Sequence, residues 1–109
     1  MSSYLDRKNA VCLGDALKLF LVQNRMVAGH NSYRISQAWE EVSGAAAHTA
    51  RQFFRDGVLT VTVNSAMARM HLELEKDALL RSINACLAAD ELFIKDGLEQ
   101  PYVKEIKLK

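Results

Sequence analysis

The stretch Thr49-Ala50-Arg51-Gln52-Phe53-Phe54-Arg55-Asp56-Gly57-Val58-Leu59-Thr60-Val61-Thr62-Val63 decides the fold. From Thr49 onward side chains alternate with a period of two, and Asp56-Gly57 interrupts the alternation once. Aspartate and glycine both tolerate positive φ, so this pair between two strand-like runs signals a two-residue type I′ hairpin. With those two residues as the loop, Arg55 opposes Val58, Phe54 opposes Leu59, Gln52 opposes Val61 and Ala50 opposes Val63. One face then carries Ala50, Gln52, Phe54, Leu59, Val61 and Val63 and reads as core. The other carries Arg51, Phe53, Arg55, Val58, Thr60 and Thr62, a mixture of cations, hydroxyls and one phenyl suited to solvent or a ligand.

Upstream of the hairpin the period is 3.6. Leu13, Ala16, Leu17, Phe20 and Leu21 share one helical face, which predicts a first helix over roughly residues 13 to 27. Gly29 follows, and His30, Asn31 and Ser32 offer a turn with N-caps for a second helix, whose face is Ile35, Ala38, Trp39 and Val42. Gly44 is placed to end it. Downstream, Asn64 and Ser65 are competent N-caps for a long helix ending near Ala88, with Ala68, Leu72, Leu79, Ile83, Cys86 and Leu87 on one side. Asp96-Gly97 and Pro101 punctuate a connection. In the last run, Val103 to Lys109, Ile106 and Leu108 alternate with Glu105, Lys107 and Lys109, as in a half-buried strand.

Two N-terminal helices, a β-hairpin, one long crossover helix and a C-terminal third strand exclude a doubly wound sheet and predict an α+β fold. The third strand is expected parallel to a hairpin strand, with the helices over the Leu59, Val61, Ile106 and Leu108 face and the opposite face open. Trp39, Leu59, Val61, Leu72, Leu79 and Ile83 are the expected buried anchors. Half of the 109 residues are apolar and a quarter charged, the balance of one globular domain over residues 1 to 109. No linker, repeat or low-complexity stretch divides the chain. No apolar run approaches the roughly 18 residues of a bilayer span, and the N-terminus lacks the pattern of a signal peptide, so a cytoplasmic protein without membrane association is expected.

Fourteen Lys and Arg balance thirteen Asp and Glu, so any polyanion-binding surface has to be local. Cys12 and Cys86 lie in apolar helical patterns with no His or Cys at metal spacing, the ordinary setting of small buried thiols. His30, His48 and His71 do not place two ligands on one face, and His71 with Glu75 is a single helical pair. There is no phosphate loop and no Gly-x-Ser-x-Gly elbow. Glu40-Glu41 and Glu73 with Glu75 fall on polar helix sides, and Trp39 shares its stripe with Ile35 and Val42. The reading is a non-enzyme with no metal, no cofactor and no small-molecule substrate. The constellation left is the outer sheet face: Arg51, Phe53 and Arg55 on one strand, Thr60 and Thr62 on the next, Lys107 and Lys109 on the third. These are donors for phosphate with one stacking surface, although a one-sided sheet also turns such residues outward for solubility alone.

Ala38-Trp39-Glu40-Glu41-Val42-Ser43-Gly44, then Ala47-His48-Thr49, then Asp56-Gly57-Val58-Leu59-Thr60-Val61-Thr62-Val63 and Ser65 follow one another in an order that resembles the DciA family of small bacterial proteins, long classed as a domain of unknown function. Leu79-Leu80-Arg81-Ser82-Ile83-Asn84 is similar to that family's leucine-rich helix, and the likeness extends over nearly the whole chain. The resemblance implies a KH-like domain that binds DNA and acts with the replicative DNA helicase, an antecedent of the dedicated helicase loaders, without enzymatic activity. It also makes Arg69, near the start of the long helix, a further phosphate contact beside Arg51, Arg55, Lys107 and Lys109. Gly44 is followed by three alanines, so the Gly-x-x-Gly clamp of true KH domains is absent. Two readings stand: a DNA-binding accessory of the replicative helicase, for single- or double-stranded DNA, or a protein-interaction module without nucleic-acid affinity, using the open sheet face or an exposed edge.

Overall fold

The computed structural model describes residues 15–109, so Cys12 and Leu13 lie outside the described residues. Along the chain run α1 (described over 15–23), α2 (Val27–Ser43), a 3-10 turn (Ala46–His48), β1 (Thr49–Arg55), β2 (Val58–Val63), α3 (Ala66–Leu74), α4 (Lys76–Ala89) and β3 (Glu105–Leu108). The three strands form one mixed sheet in the order β1-β2-β3, antiparallel between β1 and β2 and parallel between β2 and β3. The fold is α+β.

Asp56 (φ 52°) and Gly57 (φ 81°) both occupy the left-handed region, as the type I′ loop requires. Arg55 pairs with Val58, Phe54 with Leu59 and Gln52 with Val61, the register expected from the alternation. At the strand start the expectation fails, because Val63 faces Thr49 rather than Ala50. A bulge between Thr49 and Arg51 inserts one residue, so Ala50 is exposed instead of buried. Thr49 takes the inward place because its hydroxyl has two polar partners there, Trp39 Nε1 and the Ala45 carbonyl.

The helix boundaries differ from the periodic reading in two places. Residues 13 to 27 do not form one helix: α1 turns at Asn24 and Arg25 (φ 56°) and α2 starts at Val27. Gly29, His30, Asn31 and Ser32 therefore lie inside α2 rather than in a turn before it. Met26 at the N-cap makes no side-chain capping bond, and the boundary is marked only from the α1 side, where Asn24 Nδ2–H donates to Phe20 O at 2.8 Å. On α1, Leu21 is buried whereas Phe20 is half exposed. Gly44 (φ 61°) ends α2 in the left-handed cap, its N–H donating to Glu40 O at 3.1 Å.

The long crossover is likewise two helices. Ser65 Oγ caps α3 by accepting from the Ala68 N–H at 3.2 Å, and the chain breaks at Glu75 before α4. Glu75 (φ −102°, ψ 6°) leaves the helical region without being glycine or proline, and the apolar stripe still runs through the break: Leu72, Leu79, Ile83 and Leu87 are all buried.

Between α4 and β3, two asparagines grip the chain. Asn31 on α2 donates Nδ2–H to Ile94 O and accepts the Ile94 N–H at Oδ1, both at 2.9 Å. Asn84 on α4 does the same to Val103, at 2.8 and 2.9 Å. Each side-chain amide satisfies a backbone pair that no strand neighbour reaches. Phe93, Ile94 and Val103 are buried in consequence, and the Phe93 and Tyr102 rings meet edge to face at 5.1 Å. Trp39, Ile35, Leu59, Val61, Leu72, Leu79, Ile83, Leu87 and Ile106 share one core with Phe93 and Val103, and Tyr102 packs against it. Its strand members are the inward-facing alternate residues, so the helices lie over one sheet face.

Candidate nucleic-acid interface

Alternation decides which residues the outer face, which no described helix covers, receives. With Leu59 and Val61 buried, Val58, Thr60 and Thr62 of the central strand point the other way, and the pairings lay out three rows across the sheet. The first is Arg55, Val58 and Glu105; the second is Phe53, Thr60 and Lys107. The third joins Arg51 to Thr62, with Lys109 alongside, since its N–H donates to Val61 O at 2.9 Å and its carbonyl accepts from Val63 N–H at 2.8 Å. Strands about 4.8 Å apart and rows about 6.6 Å apart place these nine residues on one small, nearly flat patch.

Five of the six sequence-derived site residues therefore come together: Arg51, Phe53, Arg55, Lys107 and Lys109 are all exposed on this face. Four cations stand there against one carboxylate, Glu105. Arg55 has Asp56 at 3.6 Å, but both side chains are largely in water, where such a pair is weak and exchangeable. Arg51, Lys107 and Lys109 make no ion pair among the described residues. Arg69 is the sixth. It is exposed on α3 rather than on a strand, one turn after Ser65, following the end of β2 where Arg51 and Lys109 stand.

The other polar groups have structural work. Trp39 is wholly buried and donates to Thr49 at 3.1 Å. Arg34 Nε binds Asp90 Oδ2 at 2.7 Å, which ties α2 to the end of α4. Burial pushes the Cys86 thiol up, Glu41 and Asp90 add to this, and Arg34 only partly opposes them; the thiol is held in its unreactive form. His71 and Glu75 form an exposed helical pair at 3.6 Å. Among the described residues, no group of three or more His, Cys, Asp or Glu is arranged to hold a metal ion.

Two surfaces escaped the periodic reading. One is a groove of about 910 Å³ between the start of α2, the hairpin tip and residues 93–104, lined by Ile35, Phe54, Phe93 and Tyr102 among others. Asn31 and Asn84 tie the connection that forms one of its walls to α2 and α4, and that pairing has no signature in one sequence. The other is an apolar stripe on α3, Met67, Met70 and Leu74, which are 83, 68 and 83 % exposed. Its i, i+3, i+7 spacing was readable, yet only the packing shows that α3 turns Leu72 rather than these residues to the core.

No curated protein and no solved structure matches the chain. One family model does, that described as "Dna[CI] antecedent, DciA", over residues 12–93. That span takes in α2, the hairpin, α3 and α4 and stops at Phe93, before Val103 and β3. Since the match covers well over half of the 109 residues, the chain belongs to the DciA family, whose role is related to loading of the replicative DNA helicase.

Proposed function

We propose that this protein is a non-enzymatic, cytoplasmic, DNA-binding accessory of the replicative DNA helicase, which holds DNA by its phosphates on the uncovered sheet face. The observation that carries this reading is the convergence of Arg51, Arg55, Lys107 and Lys109 from two edge strands onto one face of a chain whose net charge is only +1. Arg69 is a fifth contact. Side chains of this kind position a phosphate backbone without reading bases, so little sequence preference is expected.

Fluorescence anisotropy against labelled DNA at several salt concentrations tests it. Each neutralised phosphate contributes a slope in log affinity against log salt of about 0.9 for duplex and about 0.7 for single strand. Replacing Arg51 and Arg55 together by Ala should lower the slope by about 1.4 to 1.8 and weaken binding, while the circular dichroism spectrum stays the same. An unchanged slope would move the site to α3 and α4, around Arg69 and Arg81.

The α3 stripe favours a second reading, a protein-interaction module without nucleic-acid affinity. Three long apolar side chains in water form a surface suited to an adaptable protein contact. If the unaltered protein binds no DNA at low salt while Met67→Glu with Leu74→Glu abolishes capture of the purified replicative helicase, this reading replaces the first.

A further inference from the structure

Among the described residues Phe53 is the only aromatic on the outer sheet face, and it is 58 % exposed. Half-buried Val58, diagonal to it in the next row, is its one apolar neighbour there, and the rest are polar or charged. Arg51 and Arg55 stand two residues to either side on β1, and Thr60 and then Lys107 lie across the sheet in its own row. The phenyl is thus a single flat apolar surface, bracketed along its strand by guanidinium groups about 6.6 Å away at the backbone. From these positions we infer that the face is built for single-stranded rather than double-stranded DNA, with one unstacked base lying on Phe53 and the flanking phosphates taken by Arg51 and Arg55. The inference rests on the DNA-binding reading above.

Three considerations lead to this strand class. A base in a duplex already stacks on both faces, so the phenyl meets a base only if the duplex is opened, at a cost of a few kcal/mol per step. A single strand presents its base faces without that cost, and stacking on an aromatic side chain with cations along the backbone is the general mode of sequence-tolerant single-strand binding. The patch is also only three strands wide, about 10 Å from β1 to β3, room for one backbone and its splayed bases. The charge layout gives the path a side: Lys107 and Lys109 continue the cations of β1 across the sheet, and Glu105, at the β3 end of the first row, leaves phosphate to the Arg55 end of that row.

The test uses the full chain with a labelled oligothymidine and a mixed-sequence duplex of equal length. Phe53→Ala should weaken single-strand binding about 5- to 150-fold, the usual range for one lost stacking contact. Its salt slope should be unchanged, since no phosphate contact is removed, and duplex affinity should stay within about twofold of the original. Phe53→Trp should restore single-strand affinity, and its emission should be quenched by the single strand and not by the duplex. Trp39, wholly buried, contributes a constant background. Equal losses for single strand and duplex in Phe53→Ala, or no loss for either, would overturn the inference. If Arg51→Ala with Arg55→Ala still lowers the slope in that event, the face binds phosphate and only the stacking assignment has failed. If that pair also leaves the slope intact, the DNA-binding reading of the face fails with it.

Discussion

Trp39 on α2 donates its indole N–H to the hydroxyl of Thr49 at 3.1 Å, and that hydroxyl donates in turn to the Ala45 carbonyl at 2.8 Å. Thr49 is the residue the bulge turns inward, so the irregular start of β1 gives the buried indole its partner. Replacing Thr49 by Val keeps the shape and leaves the Trp39 N–H unpaired in the core. The expected loss is about 1 to 3 kcal/mol, read as a lower urea midpoint with an unchanged m-value. No loss would mean that the hydrogen bond adds nothing to the packing of the indole.

The two asparagine grips predict separable effects. With Asn31→Ala, the Ile94 amide should lose its protection against hydrogen exchange while the Val103 amide keeps its own. Asn84→Ala should do the reverse. Loss of protection at both amides in either variant would show that residues 94 to 103 open as one unit.

Leu72 is the point at which α3 enters the core, being 4 % exposed between Ala68 and the α4 residues Leu79 and Ile83. Leu72→Ala should cost about 2 to 5 kcal/mol through lost burial and the cavity left behind. That is a large share of a small domain's stability. A melting temperature equal to that of the unaltered protein would mean α3 contributes little to the packing.

Asp90 gives the fold an acid-sensitive tie. Burial alone would raise its carboxyl, but the hydrogen bond from Arg34, the Leu92 N–H at 2.9 Å and the charges of Arg34 and Lys95 together outweigh burial and hold it below the usual carboxylate range. A depressed folded pKa contributes stability that is present above the unfolded value near 3.9 and lost as pH falls through the folded pKa. Asp90→Asn should therefore cost about 1 to 3 kcal/mol at pH 7, and its stability curve should begin to approach that of the unaltered protein as pH falls to about 4 and meet it only below the lowered folded pKa. Parallel curves down to pH 2 would show that the pair carries no proton linkage.

The alternation from Thr49 to Val63 was enough to establish the hairpin, its loop and the two faces, because a period of two assigns each side chain a side as soon as the turn is known. For the same reason Arg51, Phe53, Arg55, Lys107 and Lys109 were legible as one surface before any coordinates, and the order of Trp39, Gly44, His48 and the hairpin was enough to point to the family. Helix faces were equally readable, since Leu72, Leu79, Ile83 and Leu87 keep the 3.6 period. Tertiary structure decided what local periodicity does not encode. The breaks at Met26 and Glu75 carry no glycine, proline or N-capping side chain, and the local mark at the first is Asn24, whose Nδ2–H donates to Phe20 O at 2.8 Å. Asn31 looks like a helix cap in sequence and sits mid-helix because Ile94, 63 residues away, supplies both of its partners. Ala50 was turned outward by a bulge stabilised through Thr49, Trp39 and Ala45. The partner that decides Asn31 is 63 residues away and the buried indole that holds Thr49 inward belongs to another element, α2, so only the folded packing brings either within hydrogen-bonding reach.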